Sequence, residues 1–178
     1  MKTLKLFSIV FITVLVATAC GPSKKEKINR INEMENELFA EEAKGIDKEK
    51  ARSLTDAYIA YADAFPEDSL APEYLFRAAD ISMNIFESGQ AIDLYNRITD
   101  DYPDYRKAPQ CLFLKAFVYE NNLNDLNNAK RYYREFLDKY PEDEFADDAE
   151  MSLQNLGKSP EQLIKEFEER MAASEEGN

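Results

Sequence analysis

The chain has 178 residues, and its 35 acidic against 22 basic side chains give a formal net charge of −13 at pH 7. This length suffices for one compact domain or a short solenoid, and the acidic balance argues against nucleic acid as a partner, because such binding depends on clustered lysine and arginine. The absence of histidine removes the commonest general base and metal ligand, so we expect no enzymatic activity, no cofactor and no metal site.

The first 23 residues have the features of an export signal. Lys2 and Lys5 precede an apolar run over residues 6–19. This run is too short to cross a bilayer, which takes about 20 apolar residues. Small residues close the run directly before Cys20. The arrangement resembles the lipobox of bacterial lipoproteins, although Ala17 stands where that family usually has leucine.

The resemblance to a lipobox implies that residues 1–19 are a signal peptide and that Cys20 carries the lipid. Residues 20–26 would then form a lipidated tether. Because each buried CH₂ contributes about 0.8 kcal/mol, several acyl chains would hold the chain on a membrane. Residue 21 is glycine and not the aspartate of the inner-membrane retention signal, which implies the outer membrane. We expect the chain to face the periplasm, and display at the cell surface is the open alternative. An ordinary cleaved signal with a chance cysteine is the alternative.

Helical periodicity continues through the rest of the chain, with no competing strand pattern. The first predicted pair runs over 27–43 and then from an Asp47 cap to about Phe65. The second pair covers 70–88 and 89–101, with Gly89 in its turn. The third covers 107–122 and 125–139.

Two further helices follow the third pair. The first runs over about 143–156 and ends at Gly157. The second begins with a capping box at Ser159 and has proline at its first position. Its apolar stripe is expected to cover the open end of the fold. The stripe consists of Leu163, Ile164, Phe167 and Met171.

A pattern of apolar, aromatic, apolar and proline residues occurs three times, with prolines 37 and 38 residues apart. The three copies are Leu54/Tyr58/Tyr61/Pro66, Ala91/Tyr95/Ile98/Pro103 and Ala129/Tyr133/Phe136/Pro141. Small residues let paired helices approach closely, tyrosines fill the space between neighbouring hairpins, and prolines force the chain to turn back. This signature resembles the tetratricopeptide-repeat (TPR) family.

The TPR resemblance implies an all-α, right-handed solenoid of about three helical hairpins with C-terminal capping helices. The repeats would cover about 27–66, 67–103 and 104–141 of a domain over 27–173, with capping helices at 142–173 and a disordered tail at 174–178. Cys111 lies in an apolar helical stretch, which predicts a buried, unreactive thiol.

In the TPR family, the first helices of the hairpins line a peptide-binding groove. The resemblance places six large apolar residues there: Phe39, Phe76, Met83, Phe113, Phe117 and Met151. Packing of the phenylalanines into neighbouring helices is the alternative. Carboxylates at the groove rim would favour a basic partner, or would form an ordinary solvated face; they are Glu73, Asp80 and Glu120.

These features predict a protein-binding scaffold on the periplasmic face of the outer membrane. The chain resembles the TPR lipoproteins of the outer-membrane β-barrel assembly machinery, although those usually have five repeats. It also resembles the periplasmic TPR proteins linked to the Tol-Pal system, which have about three repeats and normally lack a lipid anchor. A ligand-binding or enzymatic lipoprotein is the rival class, and it would need a pocket with converging polar groups.

Overall fold

The computed structural model describes residues 21–40 and 45–176, which form eight α-helices and no strand. The helices are α1 (Lys24–Phe39), α2 (Lys48–Ala64), α3 (Leu70–Asn84), α4 (Ser88–Asp101), α5 (Ala108–Phe117), α6 (Leu126–Lys139), α7 (Ala146–Asn155) and α8 (Pro160–Glu176). None of these helices is long and apolar enough to span a bilayer. The predicted signal peptide, residues 1–19, and Cys20 lie outside the described residues.

Helices α1 to α6 form three stacked hairpins. Each hairpin pairs two consecutive helices, and the second helix of one hairpin packs on the first helix of the next, as α2 does on α3, α4 on α5 and α6 on α7. The predicted all-α solenoid of TPR-type hairpins is therefore confirmed. Stacking buries apolar faces that a single hairpin would leave in water, and this burial stabilises the solenoid.

The repeated tyrosines occupy equivalent places in the three hairpins. Tyr58, Tyr95 and Tyr133 are all buried. Each hydroxyl donates a hydrogen bond to a carboxylate that precedes it in the same hairpin: to Glu35 at 2.5 Å, to Asp80 at 2.9 Å and to Glu120 at 2.8 Å, respectively. A buried hydroxyl needs such a partner, because an unsatisfied polar group in the core is costly.

The second helices also end alike. The residues after α2, α4 and α6 are Phe65, Tyr102 and Tyr140, with φ between −137° and −132° and ψ between 56° and 59°. Each precedes one of the repeated prolines, and the residue before proline is pushed out of the helical region. The proline spacing in the sequence therefore reports a repeated backbone bend.

Four predicted boundaries were wrong. Helix α1 begins at Lys24 and not at residue 27, because Ser23 and Glu26 form a capping box, so residues 24–26, which were assigned to the predicted tether, are helical. Gly89 lies inside α4, and the turn before it consists of residues 85–87. Helix α7 begins at Ala146 and not at 143. Helix α8 continues to Glu176, so residues 174–176 are helical and are not a disordered tail.

A π-helical turn, Val118–Asn122, follows α5 and lies where α-helix was predicted. The N–H of Leu123 donates to the carbonyl of Val118 at 3.1 Å, five residues back. Residues with a left-handed φ end the first helices of the second and third hairpins, at Phe86 and Asn124, which are 38 residues apart. The helix residues before the π turn repeat at 37. The π turn therefore holds the one extra residue of the third hairpin.

Helix α8 does not bury its apolar stripe as predicted. The capping box is present, since Ser159 N–H donates to Gln162 Oε1 at 2.8 Å and Gln162 N–H donates to Ser159 Oγ at 3.3 Å. Ile164, Phe167 and Met171 are nevertheless exposed, Phe167 by 60%, and Leu163 is only half-buried. The capping box therefore starts helix α8 as predicted. The helix does not, however, use its apolar side chains to cover the end of the solenoid.

Candidate functional site: the inner face of the first helices

The first helices of the hairpins, with α7, line two cavities on one side of the solenoid. The first cavity, of about 460 Å³, lies between α1 and α3. The second, of about 520 Å³, lies among α3, α5 and α7. Residues of α3 border both cavities, so they belong to a single surface that we call the inner face.

The second cavity is predominantly apolar. Four residues predicted for the groove line it: Met83, Phe113, Phe117 and Met151. Phe117 is 38% exposed and Met151 is 59% exposed, whereas the Phe113 ring is largely buried against Tyr133, Phe136 and Phe145. The cavity therefore has a rigid aromatic base and flexible, exposed side chains at its opening.

The polar residues of the second cavity are Glu120, Asp148, Ser152 and Asn155, with Leu114 completing the apolar part. The π turn positions Glu120, whose carboxylate accepts the hydrogen bond of Tyr133. Ser152 and Asn155 come from α7, one turn apart, so they share a helix face. Four lining residues were not predicted for the groove: Leu114, Asp148, Ser152 and Asn155. The neighbouring Phe113 and Met151 were the local signal that could have indicated them.

Phe39 lies at the first cavity, together with Ile46 and Ile81. Phe39 is half exposed at the C-terminal end of α1. The prediction that Phe39 and Phe76 occupy equivalent positions was wrong. The bonded carboxylate and tyrosine are 23 residues apart in the first hairpin and 15 in the second. The eight additional residues belong to the α1–α2 connection and an earlier start of α2, so the 37-residue period does not extend back into α1.

Phe76 belongs to the core and not to the inner face. Its side chain is 4% exposed, its ring meets that of Tyr95 edge-on at 6.3 Å, and Lys107 Nζ lies 4.1 Å from the ring centroid. The prediction that Phe76 lines the groove was therefore wrong. The face of α3 that carries Phe76 packs against α4 and the α4–α5 turn.

The predicted rim carboxylates are engaged within the fold. Glu73 accepts a hydrogen bond from the Tyr105 hydroxyl at 2.6 Å and from Arg77 Nε at 3.2 Å, and Lys107 Nζ lies 3.4 Å away. Burial alone would raise the pKa of Glu73, but these donors and cations lower it below its usual value. Burial raises the pKa of Asp80, and its bond from Tyr95 opposes the rise only partly.

An ion pair joins the first two hairpins across the inner face. Arg77 Nη1 lies 2.7 Å from Glu35 Oε1, while its Nε binds Glu73 on the same helix. Glu35 thus accepts from both Tyr58 and Arg77. Because these carboxylates already have donors, the inner face presents less free negative charge than the composition suggests.

A third cavity of about 490 Å³ lies outside the inner face, at the α2–α3 turn. Its residues are mostly charged or in turns, and Arg97 there is held by Asp63 and Asp101. Among the described residues, no group of three or more carboxylate, cysteine or histidine side chains could hold a metal. Cys111 is buried and free, and burial raises the pKa of its thiol to about 12, as expected for an unreactive cysteine.

Comparison with known families agrees with the hairpin geometry. Residues 73–105 and 110–143 match the family model described as tetratricopeptide repeat. The first segment contains most of α3 and all of α4, and the second contains most of α5 and all of α6. No curated protein matches the chain. The two matched hairpins are therefore similar to tetratricopeptide repeats, units that occur in scaffolds for protein–protein interaction.

Proposed function

We propose that the chain is a lipid-anchored scaffold of the bacterial cell envelope that binds a partner protein through its inner face. The observation that carries the proposal is the second cavity, where exposed Phe117 and Met151 and half-buried Met83 converge from three helices. Apolar side chains gathered in one concave site are typical of surfaces that bind a helix or extended segment.

The cavity favours a partner segment with at least one large apolar side chain. Its base is the Phe113 ring, and methionines at its opening adapt to different shapes. Asp148, Ser152 and Asn155 would accept or donate hydrogen bonds to the segment. Basic residues beside the apolar anchor would complement Asp148 and the overall charge of −13.

Outer-membrane protein assembly is the process we propose for this scaffold. Its support is the lipobox-like sequence ending at Cys20, with Gly21 after it, and the resemblance to TPR lipoproteins of the assembly machinery. A scaffold linked to the Tol-Pal system is the second candidate. The three hairpins favour it, because the usual assembly subunit has five repeats.

Crosslinking and capture from envelope membranes would test the inner face. Phe117→Glu and Met151→Glu should both lose the partner captured by the wild-type chain, with unchanged helicity. Phe86→Glu is the matched control, because Phe86 is 71% exposed but lines neither inner-face cavity. Equal capture by all three variants would refute docking at the inner face.

The identity of the captured proteins distinguishes the two processes. β-Barrel assembly subunits would support the first, and Tol-Pal components or peptidoglycan synthases the second. The anchor needs its own test: the wild-type chain should incorporate labelled palmitate and sediment with membranes, and Cys20→Ser should do neither. Release of an unlabelled wild-type chain into the soluble fraction would contradict lipidation.

A further inference from the structure

The C-terminal helix α8 presents an apolar surface with an acidic border. Ile164 and Phe167 on α8 are both exposed. Glu161 and Glu168 are three residues before and four residues after Ile164, so they lie in the same row of the helix. We call these four residues the C-terminal surface.

The N-terminal end has a furrow of complementary character. It lies between α1 and α2 and has a volume of about 210 Å³. Buried Ile31 and the small side chains of Ala57 and Ala60 line it with Pro22. Lys27 and Arg30 border it beside a single carboxylate, Glu26. We call this site the N-terminal furrow. The alanines leave room above α2 that a large apolar side chain can fill.

The charges at the two ends are opposite. The first seven residues of α1 include Lys24, Lys25, Lys27 and Arg30 against Glu26 alone. Over residues 161–169, helix α8 carries four glutamates against Lys165 alone. The start of α1 is therefore basic and this part of α8 acidic, so the two are complementary in charge.

We propose that the C-terminal surface of one copy of this chain binds the N-terminal furrow of a second copy. Phe167 fills the space over Ala57 and Ala60, and Glu161 and Glu168 lie against Lys27 and Arg30. Two different surfaces meet, so the contact is head-to-tail, and an open chain of copies keeps one unoccupied surface of each kind at its two ends. This inference is independent of the partner at the inner face.

Sedimentation velocity of residues 21–178 would test the association. This length suffices because both described core clusters lie between Ile28 and Leu156. The mean mass should rise with concentration and fall with added salt, since salt screens the charged border. Phe167→Ser should remain monomeric, and the control Phe86→Ser should associate like the wild type. A wild-type chain that stays monomeric at every concentration would overturn the proposal.

Mixing two variants tests the head-to-tail geometry. Ala60→Arg blocks the furrow at an exposed helical position, and Phe167→Ser removes the C-terminal surface. Each variant alone should be monomeric, whereas their mixture should form dimers and nothing larger. Dimers of Ala60→Arg alone would instead show a symmetric contact between two α8 helices and overturn the proposal. Arg30→Glu should weaken association, and Glu168→Arg in the same chain should restore it.

Discussion

The Tyr95 hydroxyl donates a hydrogen bond to the Asp80 carboxylate at 2.9 Å, joining the two helices of the second hairpin beneath the inner face. The same pairing of a second-helix tyrosine with a preceding carboxylate occurs in the first and third hairpins. Each hairpin therefore contains a buried polar contact as well as an apolar core.

Tyr95→Phe should lower the free energy of unfolding by about 1–3 kcal/mol, because Asp80 would stay half-buried without its donor. Tyr102→Phe is the control: it removes an exposed bond to the Pro66 carbonyl and should cost about 0.5 kcal/mol. Urea unfolding measures both. Equal decreases in the free energy of unfolding for the two variants would show that the buried hydrogen bond stabilises the chain no more than the exposed one.

Asp80 and Glu73 should contribute opposite pH dependence. The pKa of Asp80 is raised from 3.8, so the Asp80 carboxylate binds a proton more strongly in the folded than in the unfolded chain. The contribution of Asp80 to the free energy of unfolding therefore increases as the pH falls toward 3.8. The pKa of Glu73 is lowered from 4.5, so its contribution is lost on acidification. Relative to Asp80→Asn, the wild type should become more stable as pH falls; relative to Glu73→Gln, it should become less stable. Urea titrations at several pH values measure both differences.

Phe76→Ala should destabilise the chain by about 3–5 kcal/mol, because it removes a buried ring from between α3 and α4. Phe117→Ala, at an exposed position of the inner face, should change stability by about 0.5 kcal/mol or less. Thermal and urea unfolding would show the difference. A decrease in the free energy of unfolding of less than about 1 kcal/mol for Phe76→Ala would show that Phe76 is not a core residue.

Phe86→Gly should be more stable than Phe86→Ala by about 1 kcal/mol, because a left-handed residue with a Cβ is strained. Phe86 has φ +65° at the end of α3. Its N–H donates to Met83 and the Glu87 N–H donates to Ser82, the usual closure of a helix by glycine. Urea unfolding of the two variants gives the comparison, and a more stable alanine variant would contradict the strain.

The sequence was sufficient to predict the stacked hairpins, because proline and tyrosine at a fixed spacing have direct structural consequences. The caps were also predictable: Asp47 accepts hydrogen bonds from the N–H groups of Glu49 and Lys50 as expected. Local signals of this kind require no knowledge of the neighbouring helices.

Predictions that depended on neighbouring helices were weaker. Periodicity identifies an apolar face but not what covers it, so Phe76 was placed in the groove and Ile164 against the solenoid end. The register of Phe39 failed because the α1–α2 connection is longer than its counterpart. Predicting that Glu73 accepts a hydrogen bond within the fold would have required knowing the position of Tyr105, which lies 32 residues away in sequence.

The extra residue in the π turn has a consequence for recognition. It is accommodated within the wall of the inner face and not in an outer loop, so successive hairpins present different side chains: Phe39, Ile46 and Ile81 at one cavity, and Met83, Phe117 and Met151 at the other. A face built from identical units would offer a bound segment the same contacts at every hairpin. With these two unlike cavities, shifting the segment by one hairpin would exchange its contacts, so the inner face fixes the register of the segment.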